Sequence, residues 1–267
     1  MYFLFSGEGP TDLGYCVGDS NACEAADYVH GPMTIFVDQI VETLDRYSFL
    51  DSANYGFVSK TLLVERAKEL NANKKVVRLP GKKQRKETSY FYKNARVFAR
   101  IAIERERTLN DEVVGVLFRD SDGTASADRG IWDDKLRSMI SGFQAEGFNR
   151  GVPMIPKPKS EAWLICAVKE NPYQACGTLE DRSGNDNSPN SLKAELEEIL
   201  GEPATIEKLN PLVSDRVIDG NRINMMSFRK FHERLVEVIK PPVKARSVLT
   251  AKRCIRLRHK ENNNEHI

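Results

Sequence analysis

The sequence has no uninterrupted apolar stretch of about 18 residues, which excludes a membrane-spanning helix. Its five cysteines, Cys16, Cys23, Cys166, Cys176 and Cys254, are odd in number and scattered. None forms a C-x-x-C, and none pairs with histidines at zinc-finger spacing, so a reducing compartment and no structural zinc are expected. The four histidines, His30, His232, His259 and His266, share no spacing and receive no metal or catalytic role. The segment after Met1 is not a charged-then-apolar signal peptide, so a soluble, cytoplasmic protein is expected, with no membrane partner. There is also no internal repeat and no clear linker.

What the sequence does have is clustered charge. The formal balance is only +2, from 40 Lys and Arg against 38 Asp and Glu. Lys74 to Lys86 holds seven basic residues and no acid, and Lys240 to Lys260 holds eight and no acid. Without them, 25 positive residues face 38 negative ones. An acidic body with two basic stretches suits a polyanion drawn toward a metal-loaded carboxylate site, because phosphates need cations beneath and beside them. Lys82, Lys83, Arg85 and Lys86 are the candidate nucleic-acid contacts. The plain alternative is two solvated or tail-like charge runs.

With 267 residues the chain can build one large domain, or a core of roughly 150 residues with an appended part. Apolar runs predict strands at 2–5, 55–58, 113–118 and 152–155, with a weaker one at 76–79. Helical periodicity predicts helices over 60–70, 90–107, 131–146, 161–168, 192–200 and 224–239, and one opening at Pro32-Met33-Thr34. Ser160 is expected to cap the helix at 161, and Gly147 and Gly201 to stop two others. Residues 15–31 and 177–190 read as irregular. The near-continuous apolar run Val113 to Phe118 suits a strand covered on both faces, so the expected class is α/β with a mostly parallel sheet flanked by helices.

Two strand ends carry the chemistry. Tyr2 to Phe5 runs into Ser6-Gly7-Glu8-Gly9-Pro10-Thr11-Asp12, and Val113 to Phe118 runs into Arg119-Asp120-Ser121-Asp122-Gly123-Thr124. Ligands of open α/β sheets bind beyond the carboxyl ends of strands, so these acids are candidates for one site. Hard oxygen donors from two loops suit one or two magnesium or manganese ions, which also take phosphate oxygens. Such ions activate water and stabilise a leaving oxygen, so phosphodiester hydrolysis is the natural reaction class, with Glu8 as general acid or base. Either pair of acids alone is an ordinary turn; their joint occurrence gives them meaning. Trp163 reads as core rather than as a base-stacking platform, and so do Tyr90, Phe91 and Tyr92 after the first basic stretch.

The spacing Glu8-Gly9-x-x-Asp12, followed about a hundred residues later by an apolar strand ending Asp120-x-Asp122, resembles the TOPRIM pattern of topoisomerases, bacterial primases and overcoming-lysogenization-defect-type nucleases. Ser160-Glu161-Ala162-Trp163-Leu164 resembles an E-A-W-L stretch of small stand-alone bacterial TOPRIM-like proteins, as do His30-Gly31-Pro32-Met33-Thr34 and Ser227-Phe228-Arg229-Lys230-Phe231. The resemblance implies a TOPRIM-like, Rossmann-like core over 1–172, a helical C-terminal part over 173–240 packed on it, and a basic tail over 241–267. It further implies a magnesium-dependent nuclease-like site. There Glu8 is the general acid/base and a metal ligand, Asp120 and Asp122 are the principal ligands, Asp12 and Glu161 are further ones, and Lys157 or Lys159 offsets the developing charge. DNA or RNA is the implied partner, with a partner ATPase or a second copy of the chain as others, and phage defence the setting. No topoisomerase nucleophile stands out among eight tyrosines.

Two rival readings make different predictions. Asp120-Ser-Asp122-Gly-Thr124 also resembles the D-x-D-G-T motif of haloacid-dehalogenase-like phosphatases, with Asp120 as nucleophile, although that leaves Glu8 and Asp12 without a role. A TOPRIM-like module that binds nucleic acid or a partner without catalysis is the other.

Overall fold

The computed structural model describes residues 1–18, 20–72, 86–121 and 130–240. In chain order the elements are β1 (Tyr2–Ser6), β2 (Gly14–Cys16), β3 (Ala22–Glu24), β4 (Tyr28–His30), α1 (Pro32–Asp45), β5 (Tyr55–Val58), α2 (Lys60–Ala72), α3 (Lys86–Leu109), β6 (Val113–Phe118), α4 (Gly130–Ala145), β7 (Gly151–Met154), α5 (Ser160–Val168), α6 (Leu192–Leu200), α7 (Ile206–Ser214) and α8 (Met226–Ile239). The main sheet has the order β3-β5-β1-β6-β7. β1 runs parallel to both β5 and β6, β6 runs parallel to β7, and only the edge strand β3 is antiparallel.

Alternation along the strands explains why both faces are covered. Phe3 and Phe5 of β1, with Val114, Val116 and Phe118 of β6, point into a core shared with α1, α5, α6, α7 and α8. Tyr2 and Leu4, with Val113 and Leu117, point the other way, against Phe91, Val97, Phe98 and Ala102 of α3 and Met139 and Phe143 of α4. Successive strand residues face opposite sides, so a run apolar at every position must be buried twice. This is the α/β architecture expected from the sequence. α8 packs on β7, α7 on α1 and α6 on α5.

Gly115, in the middle of β6, shows how closely that second layer approaches. A Cβ there would lie 2.9 Å from ring carbons of both Phe98 and Phe148. Gly115→Ala is therefore expected to destabilise the fold by about 1–3 kcal/mol, because two buried rings must shift. Urea denaturation of the variant checks it.

Two expectations need correction, and one helix goes unpredicted. Residues 15–31 are not irregular: β2 and β4 form an antiparallel ribbon, and β3 extends the main sheet. Each of these strands has three residues, too few for a hydrophobic period to register. Helix α7 escapes the periodicity because Pro211 lies inside it, yet Ile206, Leu209 and Val213 line its buried face. The cysteines are also not all thiols: Cys16 is bonded to Cys23 and Cys166 to Cys176, which removes the basis for reading a reducing compartment. The weak strand at 76–79 and the tail at 241–267 lie outside the described residues. Among those described, no helix is long and apolar enough to cross a membrane.

Candidate functional site

The chain leaves β1 for β5 on one side and later returns as β6 on the other. The carboxyl end of β1 is therefore the topological switch point, where doubly wound sheets hold ligands. Glu8 and Asp12 lie in the loop that starts there. Gly9 turns this loop with a φ of +83°, and a Cβ on it would lie 2.5 Å from Asp12 Oδ2, so glycine serves both the turn and the room for the carboxylate.

The far end of the loop is clamped by the segment 28–34. The Leu13 carbonyl accepts from Gly31 N–H at 2.7 Å, from Thr34 Oγ1 at 3.0 Å and from the Tyr28 hydroxyl. Met33 N–H, at the start of α1, donates to the Asp12 carbonyl at 3.0 Å. His30-Gly31-Pro32-Met33-Thr34, singled out in the sequence, thus acts by holding Asp12 in place.

A second loop follows β6. Asp120 Oδ1 accepts from Ser160 N–H at 3.2 Å, at the first residue of α5. Ser121 donates through its N–H and Oγ to the Pro158 carbonyl, at 3.0 and 3.1 Å, which ties this loop to the one after β7. Lys135 Nζ, from α4, donates to the Ser121 carbonyl at 2.7 Å.

Ser160 corrects another expectation. It begins α5 rather than capping it: Lys159 is the cap residue, and no side chain caps the helix. The Ser160 hydroxyl instead donates to Asp12 Oδ1, and Glu161 Oε2 lies 3.3 Å away. It is a bridge between the strand-end loop and the helix that carries Glu161. Trp163 on that helix is fully buried, as the core reading expected, with Nε1–H donating to Ser227 Oγ at 2.9 Å and its ring packed edge-on against Phe228. Ser227 N–H in turn donates to the Glu180 carboxylate at 2.7 Å. The E-A-W-L and S-F-R-K-F segments therefore position one another.

Electrostatics mark the place. Burial pushes the Asp12 carboxyl up to about 7, and the negative charges of Glu161 and Glu8 push the same way, while the Ser160 hydrogen bond and the Lys159 ammonium oppose them. Lys159 is itself buried and sits 2.7 Å from Asp186 and 4.0 Å from Glu161. Lys157 lies 3.8 Å from Asp181. Glu8 pairs with Lys60, the first residue of α2, at 2.5 Å.

Glu8, Asp12, Glu161 and Lys159 are thus brought together, and Asp120 joins them through Ser160. Asp122, Lys82, Lys83 and Arg85 lie outside the described residues, and Lys86 is the first residue of α3. Sequence reading misses Lys60, although the strand-end rule applied to β5 points to it. It also misses the Ser160 bridge, since a serine before a helix looks like a cap. Comparisons with known protein families, with curated proteins and with solved structures find no match.

Among the described residues, no three His, Cys, Asp or Glu side chains are grouped so as to hold a metal ion. In kind, the donors fit a hard divalent cation: they are carboxylates, of which Asp12 is raised by burial and then by the charges of Glu161 and Glu8, and two lysines supply the positive charge beside them.

Proposed function

We propose that this chain is a magnesium- or manganese-dependent phosphodiester hydrolase of TOPRIM-like architecture that acts on nucleic acid. The observation that carries the reading is that Glu8, Asp12, Asp120 and Glu161 all lie beyond the carboxyl ends of β1, β6 and β7, at the switch point of a mostly parallel sheet, with Ser160 bonded to both Asp12 and Asp120. Glu8, Asp12, Asp120 and Glu161, with Asp122 two positions after Asp120, are the residues that would hold one or two ions. Such ions supply Lewis acidity and an activated water.

The chain's own groups have separate tasks. Glu8, partly open to solvent and held by Lys60, is placed to accept or give a proton. Ser160 fixes the Asp12 carboxylate by hydrogen bond, and Asp120 is oriented by the N–H of the same residue. Lys159, and Lys157 beside it, offset negative charge developing on a transferred phosphoryl group. A role in phage defence, and a partner ATPase or a second copy of the chain, belong to the same proposal by family resemblance.

The test is cleavage of single- and double-stranded DNA and RNA by the purified protein with magnesium or manganese. Charge reversal of Lys82, Lys83, Arg85 or Lys86 is expected to weaken polyanion binding and to lower the slope of log affinity against log salt by about one per lost phosphate contact. Fluorescence anisotropy at several salt concentrations measures it, and an unchanged slope removes that stretch from the interface.

A further inference from the structure

Four buried side-chain polar atoms among the described residues lack a hydrogen-bond partner within 3.5 Å, and three of them, Ser6 Oγ, Tyr90 OH and Arg119 Nε, belong to segments that the fold links to one another. The sheet register places them. Ser6 pairs with Leu117 across β1 and β6, and Leu4 and Leu117 both face α3 and α4. By the two-residue period Ser6 and Arg119 face the same way. Arg119 then donates through one terminal nitrogen to Asn94 Oδ1 of α3 at 3.2 Å, and Asn94 Nδ2 donates to the Tyr90 carbonyl at 2.8 Å. The Lys60 ammonium stands 5.7 Å from the centre of the Tyr90 ring while it holds Glu8, and it also faces the Tyr90 hydroxyl, beyond direct hydrogen-bond distance.

Arg119 is the unusual member. It is 0 % exposed, and its donors go to the Phe118 carbonyl and to Asn94, both neutral acceptors. A buried guanidinium held only by neutral groups is costly, and its planar fork of N–H groups matches an oxyanion. Hydroxyls of Ser6 and Tyr90 add two donors of the kind that bind phosphate oxygens. Lys60 is exposed and Tyr90 half-buried, so this end of the group lies nearest solvent.

We propose that Arg119, Ser6 and Tyr90, with Lys60 at the mouth, form a phosphoryl-group subsite on the α3 side of the sheet, next to the carboxylate cluster. It rests on the hydrolase reading only for its role there, which is to hold a phosphate adjacent to the one attacked, or the released phosphate end. The binding chemistry itself does not need the metal or the acids.

The test is binding in EDTA, where no metal-dependent cleavage occurs. A 5′-phosphorylated single-stranded oligonucleotide is expected to bind at least about tenfold more tightly than its 5′-hydroxyl counterpart, since charge-assisted bonds to phosphate are the strong ones. Arg119→Met should remove the preference. Tyr90→Phe and Ser6→Ala, which remove one hydroxyl each and should fold normally, should cut it by about threefold or more apiece. Saturable binding of inorganic phosphate alone, with the same losses, assigns the subsite to free phosphate or a mononucleotide rather than to a polynucleotide end. The proposal is overturned if wild type shows neither the preference nor phosphate binding, or if the Tyr90→Phe, Ser6→Ala double variant retains both undiminished. Cleavage by the same preparation in magnesium separates the two ideas: a phosphate preference without cleavage keeps the subsite and removes the hydrolase, and cleavage without the preference does the reverse.

Discussion

Glu8→Gln is expected to lower metal-dependent cleavage of nucleic acid by about 10²–10⁴-fold, the range for loss of a positioned proton-transfer group, while the protein stays folded. Folding should survive because Glu8 gives up only an ion pair with the half-exposed Lys60, and such pairs are worth about 0–1 kcal/mol. Asp120→Asn should lose at least as much activity, and the amide oxygen can still accept the Ser160 N–H that Asp120 accepts now. The pair of variants separates two chemistries. In a phosphatase with Asp120 as nucleophile, Asp120→Asn is inactive and Glu8→Gln fully active. In the hydrolase both fail. Circular dichroism of each variant guards against misfolding.

Asp12→Asn is expected to stabilise the metal-free protein at pH 8 and to do progressively less as pH falls. Burial, with Glu161 and Glu8, raises the folded-state pKa to about 7 from an ordinary 3.8. Folding therefore resists ionisation of this group. The resulting penalty is absent below pH 3.8, grows between there and about 7, and is fully present above 7. Each tenfold change in proton affinity between the unfolded and folded chain corresponds to about 1.4 kcal/mol; allowing for the carboxyl's partial exposure and its neighbours, the expected gain at pH 8 is about 2 kcal/mol. That is a rise in melting temperature of roughly 4–8 °C for a chain of this size. Asp38 and Glu106, also raised by burial, contribute the same sign, while His30 and His232, lowered by burial, contribute the opposite one, so the difference between variant and wild type is the quantity to follow. Melting curves in EDTA from pH 4 to 8 measure it, and a difference flat with pH contradicts the account.

Much of this architecture is legible in the sequence, for a physical reason. Parallel strands buried on two faces need apolar residues at every position, so Tyr2 to Phe5, Tyr55 to Val58 and Val113 to Phe118 can be recognised locally. The acids at their ends can be recognised because turns there are short and the carboxylates follow at once. What escapes depends on distant partners. Ser160 looks like a helix cap until Asp12, 148 residues earlier, is brought against it. Arg119 looks like one more surface charge until the register puts it beneath α3. The bonds Cys16–Cys23 and Cys166–Cys176 follow from where β2, β3 and α5 lie, which no spacing in the chain announces.

The central claim is that the carboxylates beyond β1, β6 and β7 form one ion-binding centre. Its most direct measurement is a manganese titration followed by electron paramagnetic resonance, comparing wild type with the Glu8→Gln, Asp120→Asn double variant. The account predicts saturable binding of one or two ions by wild type and its loss in the double variant. No saturable binding by wild type, or binding that the double variant retains, would contradict it.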